Sequence, residues 1–501
     1  MAWPKPELWY DVLGGENRQH NARLRQDQQL LEMRAAPNVI PDPSGELVTR
    51  PGFSHVRATA ITNTPAITWM SHLKDLADEF ILGNSVTGGL NRDSANPPGA
   101  ITGGAAFTTG QNVLLRSDIF NDLLIIVSNA RNLPQTINSS VTRADLGGTP
   151  ARGLDVKAFA RRVCMFSPSD GTTTYRSIMS FNSANDDQAT WTTPYTVNML
   201  NFGRIGTDAN LLGGEHFQDH LMAFTEDAAF PVFATPNATL PLAFQTYAFK
   251  EEGGGPPNIQ AVVPANDRLY WISRNYDVKE MLPNFQVRSI GWPVQPFLRG
   301  LSDSRRIYTI GGWEPQYRLV LWAVSDGSDT TNQDVLAYHV DTGIFTFHTL
   351  SINAFALRRV SGELRLIGGH YNGLFSNMFD TSTTGDLQTA ASAIDADIQT
   401  ARIHLGMPGV VKKCPYVAVE FDPIGSEVVT VQHQLDDTTT WTNFAESTLA
   451  MSGTDRRTKF FTIPAPFTEI GLRFRDANSG ERFRVTRIGF PKPLAIYTSR
   501  D

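Results

Sequence analysis

The sequence predicts an all-β protein in which a six-bladed β-propeller is preceded by an extended N-terminal arm and followed by a C-terminal β-sandwich. Three observations predict this class. Residues 304–379 form a series of short apolar runs separated by turn residues. The 40 glycines and 30 prolines, without a long helical periodicity, favour a turn-rich β protein. After residue 400, apolar and polar residues alternate with a period of two over many short segments, which is typical of a sandwich with one buried face per sheet.

The blade prediction begins from residues 304–379. Strands are predicted at four runs rich in Val, Ile, Leu, Phe and Tyr: Arg306–Ile310, Arg318–Val324, Asp334–Val340 and Ile344–Leu350. Between the last two, Asp341-Thr-Gly343 predicts a tight turn in which glycine supplies a positive φ. Four such strands make one antiparallel sheet of roughly 45 residues, the size of a propeller blade. Because one small sheet leaves apolar faces bare, further blades must stack on it. Five, six or seven blades fit the length, and we predict six.

Changes of composition place the domain boundaries. A stretch rich in Thr, Ser, Ala and Asp begins at Asp380, so the propeller is assigned to residues 30–385 and the sandwich to residues 386–501. Residues 1–29 are assigned to the arm, because prolines and glycines interrupt any continuous helix there. The arm carries three large aromatic residues outside any periodic pattern: Trp3, Trp9 and Tyr10. These side chains either fold back onto their own domain or dock on a neighbouring subunit, and we predict them as interface residues.

Five shorter segments carry specific expectations. Residues 95–110 are rich in Gly, Pro, Ala and Thr and are predicted as a long loop, and residues 129–153 are predicted as a polar insertion. Short helices are predicted within residues 21–33 and 278–288. A turn is predicted at residues 43–46, within an entry hairpin.

Length and charge exclude some classes of function. At 501 residues the chain is too long for one ordinary core, so two or three domains are expected. A net charge of −7 and a pI of about 5.8 provide no basic surface of the kind that holds nucleic acid. Cys164 and Cys414 lie far apart in apolar runs, and we expect two buried reduced thiols. No signal pattern and no run of ~18 apolar residues is present, so we expect a soluble protein made in a reducing cytosol.

The sequence contains no strong cofactor or metal motif. Neither a phosphate-binding loop nor a Gly-x-Gly-x-x-Gly between a strand and a helix occurs. The nearest approach to a zinc motif is His216-Phe-Gln-Asp-His220, which resembles the inverted form His-x-x-Glu-His with Asp in place of Glu. Its surroundings indicate a strand, on which positions four apart lie roughly 13 Å from each other, too far for one metal ion. We therefore predict no cofactor and no metal ligand.

We interpret the paired carboxylates and the paired arginines as structural rather than catalytic residues. Asp186-Asp187 and Asp436-Asp437 precede Thr and Trp in turns, where Asp commonly accepts backbone hydrogen bonds. Ser167-Pro-Ser-Asp-Gly171 lacks the spacing of the sialidase Asp-box. We therefore predict no catalytic residue, although an active site assembled from distant blades would leave no local signature. Arginine pairs such as Arg161-Arg162 are interpreted as solvated strand faces or subunit contacts.

Three stretches of the sequence together resemble one known family. The first is Gly45–Phe53, which contains Arg50-Pro-Gly52; the second runs from Tyr317 to Gly369; the third combines Thr400–Leu405 with Lys412–Phe421. They are similar to the opening hairpin, the late blades and the C-terminal β module of phage packaged-DNA stabilisation proteins, the tail nozzle or hub of short-tailed phages. The resemblance spans most of residues 30–490. It departs in the aromatic arm and in the two segments that we interpret as a loop and an insertion.

The resemblance implies a non-enzymatic structural protein of the virion tail, synthesised in the host cytoplasm. It implies six copies in a ring below the head-to-tail adaptor, around a channel through which double-stranded DNA leaves without sequence-specific binding. Tail fibre, spike or needle proteins are further expected partners, and no membrane segment is expected. A net negative chain suits such a conduit, because a positive wall would bind DNA through counterion release and slow its exit. We expect Asp and Glu to be enriched in lumen-facing loops and arginine pairs to lie at subunit contacts.

Two other functions stay open from the sequence. One is a glycan-processing propeller enzyme with an appended carbohydrate-binding sandwich, which would need two convergent carboxylates in a central pocket. The other is a receptor-binding module of the same virion, which would lie at the tip or periphery of the tail rather than on its axis.

Overall fold

The computed structural model describes most of the chain: residues 6, 8–11, 33–35, 37–41, 46–73, 79–193, 195–205, 210–327, 329–360, 363–383, 385–387, 391–392, 394–423, 428–436, 438–450, 457–476 and 483–496. Five short strands precede the first blade: β1 (Leu8–Asp11), β2 (Met33–Ala35), β3 (Val39–Pro41), β4 (Leu47–Thr49) and β5 (Gly52–His55).

Within the described residues, seven sheets follow one another along the chain, each built on four antiparallel strands; the fourth and the seventh sheets carry additional short strands. The first consists of β6 (Ile67–Leu73), β7 (Glu79–Asn84), β8 (Leu90–Arg92) and β9 (Gly99–Ile101). The second consists of β10 (Leu115–Phe120), β11 (Leu123–Ser128), β12 (Gln135–Ile137) and β13 (Arg143–Asp145). The third consists of β14 (Asp155–Phe159), β15 (Arg162–Phe166), β16 (Ile178–Phe181) and β17 (Met199–Asn201). The fourth consists of β18 (Leu211–Phe217), β19 (His220–Thr225), β20 (Ala228–Ala234) and β21 (Leu242–Phe244), with β22 (Phe249–Lys250) also paired to β20.

The last three sheets repeat the same order. The fifth consists of β23 (Val263–Ala265), β24 (Arg268–Ile272), β25 (Val278–Met281) and β26 (Val287–Ser289). The sixth consists of β27 (Ile310–Glu314), β28 (Leu319–Val324), β29 (Asp334–His339) and β30 (Phe345–Thr349). The seventh contains β31 (Ala354–Val360), β32 (Glu363–Gly369) and β33 (Phe375–Asp380). Within the described residues, helical structure is confined to α1 (Gln295–Gly300) and the short 3-10 turns Phe202–Ile205, Ile259–Ala261, Trp292–Val294 and Arg306–Tyr308.

The seven sheets close into a propeller. The first strand of each sheet contacts the first strand of the next, and β31 contacts β6. The seventh blade takes its fourth strand from the N-terminal segment: β5 pairs antiparallel with β33, with Ser54 opposite Asn377 and His55 opposite Ser376. A strand from before the first blade therefore completes the last blade, which joins the two ends of the ring.

The prediction of an all-β propeller is confirmed, but the predicted blade number of six is wrong. The outer strands β9, β12 and β13 lie in the two segments that we interpreted as a loop and an insertion. Each is three residues long, and residues flanking these strands are exposed. Such short outer strands need no apolar run, so periodicity does not mark them.

Local predictions have mixed outcomes. The turn at residues 341–343 is confirmed, since Gly343 has a φ of 73° and its N–H donates to the His339 carbonyl at 2.9 Å. The strand predicted at Arg306–Ile310 is wrong, because Arg306–Tyr308 is a 3-10 turn and the strand begins at Ile310. The helix predicted within residues 278–288 is wrong, since β25 and β26 occupy it. The turn at 43–46 and the helix at 21–33 lie largely outside the described residues.

The C-terminal domain is the predicted β-sandwich. After the short strands β34 (Asp386–Leu387) and β35 (Ala391–Ser392), it contains β36 (Ala396–Thr400), β37 (Lys412–Lys413), β38 (Tyr416–Pro423), β39 (Val428–Leu435), β40 (Thr442–Ala450), β41 (Arg457–Thr462), β42 (Ile470–Asp476), β43 (Phe483–Phe490) and β44 (Leu494–Ala495). One sheet has the order β3-β4-β43-β38-β41, with β1 also on β43, and the other has the order β2-β36-β42-β39-β40. Alternate side chains of both sheets share one core, which includes Val419, Ile488, Val431 and Leu472.

The predicted domain boundaries need correction at the N-terminus. Strands β2, β3 and β4, which we assigned to the propeller, pair within the sandwich sheets. Strand β1, which we assigned to a separate arm, pairs with β43 along residues Phe490 to Arg487. The sandwich therefore consists of two pieces of chain that lie on either side of the propeller in sequence. Strand pairing across such separations has no local sequence signal.

Packing between blades explains the continuous apolar runs. All six residues of β28 are buried, because both faces of that strand lie against a neighbouring sheet. The Trp322 ring reaches the preceding blade, where its Nε1–H donates to the Ala261 carbonyl at 2.9 Å. Cys164 and Cys414 are buried and unpaired, as expected, and burial raises the pKa of these thiols to about 12 and about 11.

A buried ion pair joins the two domains. Arg50, between β4 of the sandwich and β5 of the propeller, is 2% exposed and binds Asp386 through both terminal nitrogens, with Nη1 donating to Oδ1 at 2.7 Å. Its Nε donates to Oδ1 of Asn38 at 3.1 Å. A Cβ on Gly52 would lie 2.2 Å from the Gly385 carbonyl oxygen, so only glycine fits there. The segment Arg50-Pro-Gly52 is thus the crossing point between sandwich and propeller.

A histidine pair sits where β5 completes the ring. His370 Nδ1 lies 3.2 Å from the Ser351 carbonyl, so this nitrogen donates, and Nε2 accepts from the Ser376 hydroxyl at 2.9 Å. The same hydroxyl oxygen accepts from Nδ1 of His55, on β5, at 2.9 Å. Burial lowers the pKa of His370 to about 4. The chain of hydrogen bonds therefore requires a neutral His370.

We expect His370 to make the closed propeller sensitive to acid. Its pKa is lower in the folded state than the ordinary value of 6.5, so this contribution to stability is complete above pH 6.5 and is lost as the pH falls toward 4. Between these values the free energy of unfolding should fall by roughly 2–3 kcal/mol more in the wild type than in His370→Gln. Guanidinium unfolding measured across this pH range tests the difference. An equal loss of stability between pH 6.5 and 4 in the wild type and in His370→Gln would refute the assignment.

Candidate functional site in the central channel

The first strands of the blades enclose a cavity of about 220 Å³ on the propeller axis. Residues of all seven blades contribute to its wall. Aromatic and apolar side chains, including Trp69 and Phe355, line part of the wall. Charged side chains from three consecutive blades line another part: Arg116 on β10, Asp155 and Lys157 on β14, and Glu215 on β18.

Lys157 and Glu215 form the central ion pair. Lys157 Nζ lies 2.9 Å from Glu215 Oε2, and both side chains are largely buried. Burial opposes the charge on Lys157, but Glu215, Asp155 and Asp118 outweigh it and raise the pKa of the lysine. The lysine therefore stays charged at any physiological pH. This pair connects the third blade to the fourth.

Asp155 is the most enclosed carboxylate of the cavity. Its Oδ2 accepts from the Gly214 N–H at 2.9 Å, and burial raises its pKa although Lys157 and Arg116 act in the opposite direction. A bulge in β18 brings the backbone this close: Gly213 has a φ of 155°, and a Cβ there would lie 2.5 Å from Asp155 Oδ2. Glycine at position 213 is thus required for the carboxylate to reach the neighbouring strand.

Arg116 connects the charged cluster to the other side of the channel. Its Nη2 lies 3.3 Å from Oδ1 of Asn258, and Asn258 Nδ2 donates to the Thr309 carbonyl at 2.7 Å. Its Nη1 is buried without a hydrogen-bond partner within the described structure. Burial lowers the pKa of Arg116 to about 10, against the attraction of Asp155 and Glu215. Arg116 therefore remains charged at neutral pH.

Asp118 continues this cluster toward the β10–β11 turn. Its Oδ2 accepts from the Ala158 N–H at 2.7 Å and lies 3.2 Å from His216 Nε2. Burial raises the pKa of Asp118, but His216, Lys157 and the backbone donors outweigh it and lower the pKa overall. The cavity and its rim thus contain three carboxylates, one lysine and one arginine.

This arrangement has two chemical possibilities. Paired charges in a closed channel hold neighbouring blades in register, which is a structural role. A carboxyl group with a raised pKa beside a second, ionised carboxylate is also the arrangement of a general acid and its partner. Asp155 and Glu215 both line the cavity, and the glycan-processing alternative would require two carboxylates there.

The residues singled out from sequence lie elsewhere. Tyr10 is 6% exposed and packs against Phe490 of its own sandwich with ring centroids 6.1 Å apart. The Trp9 ring packs over Gly489 and stays partly exposed. Trp3 lies outside the described residues. The predicted interface role of Trp3, Trp9 and Tyr10 stays a prediction.

The histidine motif and the carboxylate pairs have local roles. His216 and His220 lie on two strands, β18 and β19, joined by a tight turn, rather than on the single strand that we predicted. Asp186 binds Arg161, and Asp436 accepts from the Thr468 and Glu469 N–H groups. Asp187 accepts from the Ala189 N–H at 3.0 Å, while Asp437 is outside the described residues. Among the residues that the structure describes, no group of three or more His, Cys, Asp or Glu side chains could hold a metal ion.

The central cluster was not predicted from the sequence. Arg116, Asp155, Lys157 and Glu215 lie on three strands that are far apart in the chain. The available signal was a charged residue in the first strand of three successive blades, preceded each time by an apolar residue or glycine. That signal becomes visible only once the blade boundaries are known.

Comparisons with known proteins return only distant structural matches. No protein-family model matches the chain, and no curated protein matches it significantly. Solved structures that match include the Pan2 WD40 domain of Neurospora crassa, with 9% identity, a TM-score of 0.38, and coverage of 66% of this chain and 94% of that one. BBS1N in complex with ARL6DN, soaked with mercury, matches with 12% identity and a TM-score of 0.39 over 66% of this chain and 98% of that one. Separately, within the described residues no helix is long and apolar enough to cross a membrane.

Proposed function

We propose that this protein is a structural component of a virion tail: a nozzle or hub subunit that assembles into a ring around the DNA exit channel, below the head-to-tail adaptor. The ring retains packaged DNA and guides its ejection. The observation that carries the proposal is the junction of the two domains, which a buried ion pair and strand pairing hold together. The Arg50-Pro-Gly52 segment, part of the family resemblance, supplies both the buried ion pair with Asp386 and the entry to β5.

A junction that resists separation of the two domains suits a subunit of a ring that must hold packaged DNA. The sandwich sheets contain β1 to β4 from one end of the chain and β36 to β43 from the other, while β5 completes the seventh blade. Pulling the two domains apart would therefore break strand pairing in both. A subunit built this way presents fixed surfaces on both domains, as a closed ring of wedge-shaped copies requires.

In this proposal DNA passes between copies and not through one propeller. The propeller channel holds about 220 Å³ and has the Lys157–Glu215 pair in its wall. A duplex whose major groove alone is ~12 Å wide does not fit there. The conduit is then the axis of the oligomer, lined by surfaces of several subunits.

The test is direct observation of the assembly. The purified protein should form closed rings, with six copies expected, in negative-stain images and by native mass measurement, alone or after addition of its adaptor and needle or fibre neighbours. An open axial hole should be visible in the rings. A protein that stays monomeric at every concentration, with and without those neighbours, would contradict the proposal.

A glycan-processing enzyme is the second candidate, because Asp155 and Glu215 lie in one central cavity. A polysaccharide digestion assay with the purified protein and with Asp155→Asn separates the two functions. The nozzle proposal predicts no product from either protein. Product formed by the wild type and lost in Asp155→Asn would instead support the enzyme.

A further inference from the structure

A second cleft, separate from the central cavity, lies across three blades. It has a volume of about 320 Å³ and is lined by Arg131, Ser167, Arg176, Asn210 and Glu226 together with two leucines. Arg131 follows β11, Ser167 and Arg176 lie between β15 and β16, and Asn210 directly precedes β18. In each blade these positions are where the second strand ends or the first strand begins, so all of them lie on the same face of the propeller.

Two guanidinium groups share this cleft without a neutralising carboxylate. Arg131 is held by Ser167: its Nε donates to the carbonyl oxygen at 3.3 Å and its Nη2 to the hydroxyl at 2.8 Å. Both of these acceptors are uncharged. Within the described part of the chain, neither Arg131 nor Arg176 forms an ion pair. Burial lowers the pKa of Arg131, and the charge of Arg176 lowers it further, which indicates that the two cations repel each other across the cleft.

The one acidic residue in the lining is already engaged. Glu226 Oε1 lies 2.6 Å from Arg274 Nη1 and accepts from Asn210 Nδ2 at 3.2 Å. It is not among the charges that act on Arg131. The backbones of Arg131 and Ser167 lie in the left-handed region, with φ of 52° and 48°, which residues other than glycine seldom adopt. This uncommon backbone conformation directs the Arg131 side chain into the cleft. The positive charges of Arg131 and Arg176 are therefore not neutralised by a carboxylate that lines the cleft.

We propose that this two-arginine cleft binds an oxyanion, a phosphate or carboxylate group carried by a small molecule. Guanidinium groups match both anions with paired N–H donors, and two of them facing one partly enclosed space favour a ligand that carries the missing negative charge. The apolar side of the cleft, formed by Leu154 and Leu212, would contact the remainder of such a ligand. The inference stands independently of the proposed virion role.

Titration calorimetry at constant ionic strength tests the site, with inorganic phosphate in one arm and citrate in the other. We expect saturable binding with a dissociation constant on the order of 1 mM or below in at least one arm. Whichever ligand binds more tightly identifies the source of the anion. Arg176 is exposed, so Arg176→Gln should fold normally and bind about tenfold or more weakly, as expected for the loss of a charged hydrogen-bond donor.

Arg161→Gln is the matched control. Arg161 is an exposed arginine of the same blade, but it lies in the turn between β14 and β15 at the opposite face and binds Asp186. Its loss should leave the affinity unchanged. Two outcomes would overturn the proposal: no saturable binding of either ligand, or equal weakening in Arg176→Gln and Arg161→Gln.

Discussion

Replacing Arg50 by alanine is expected to destabilise the protein by roughly 3–5 kcal/mol, because it removes the cation of a buried ion pair and leaves the Asp386 carboxylate buried. Arg50 is 2% exposed and also donates to Asn38, so the change removes hydrogen bonds on both sides of the domain junction. The guanidinium midpoint of unfolding should fall accordingly. Because the pair holds β5 in place, limited proteolysis should also cut the variant between sandwich and propeller.

Control variants test whether the loss of stability is specific to the buried Arg50–Asp386 pair. Arg318→Ala removes an ion pair with Asp341 that is roughly half exposed, and should cost less than about 1 kcal/mol. Asp386→Ala should be as damaging as Arg50→Ala, and the double variant should cost clearly less than the sum of the two. Additive single effects, or an effect of Arg50→Ala no larger than that of Arg318→Ala, would show that the junction does not depend on this pair.

Replacing Trp322 by alanine should cost roughly 3–5 kcal/mol, since it empties the space of a fully buried indole between two blades. The Trp322 side chain packs with Tyr270 and Leu336 and donates from Nε1 to the Ala261 carbonyl of the preceding blade. Denaturant unfolding followed by circular dichroism measures the loss. The same variant should retain the sandwich fold, because Trp322 lies in the propeller.

Two further variants show which part of the Trp322 contribution comes from packing. Trp322→Phe keeps an aromatic ring but leaves the Ala261 carbonyl unpaired, so a loss of about 1–3 kcal/mol is expected. Trp292→Ala, at a tryptophan that is 40% exposed, should cost less than about 1 kcal/mol. Equal losses at positions 322 and 292 would contradict the packing of blades described above.

Strands with strong apolar runs could be predicted from the sequence, and strands without them could not. The runs at β28, β29 and β30 are buried between blades, so their composition marks them plainly. The three-residue outer strands β9, β12 and β13 lie in segments without a long apolar run, for which the sequence predicts a loop and an insertion. As a result, seven blades were predicted as six, although the period of one blade was recognised.

Long-range pairing explains the other errors. β5 pairs with β33 more than 300 positions later, and β1 pairs with the last long strand of the sandwich. No local pattern records such partners, so the N-terminal segment was assigned to an arm and a propeller. The charged cluster of Arg116, Asp155, Lys157 and Glu215 was missed for the same reason, because three blades must be closed before these side chains meet.

The most direct test of the proposed function is the position of this chain in the assembled particle. Cryo-electron microscopy of the virion should place copies of the propeller and sandwich in a ring on the tail axis, directly below the head-to-tail adaptor and around the DNA. Density for the chain only at the tip or periphery of the tail, away from the axis, would contradict the nozzle assignment and favour receptor binding.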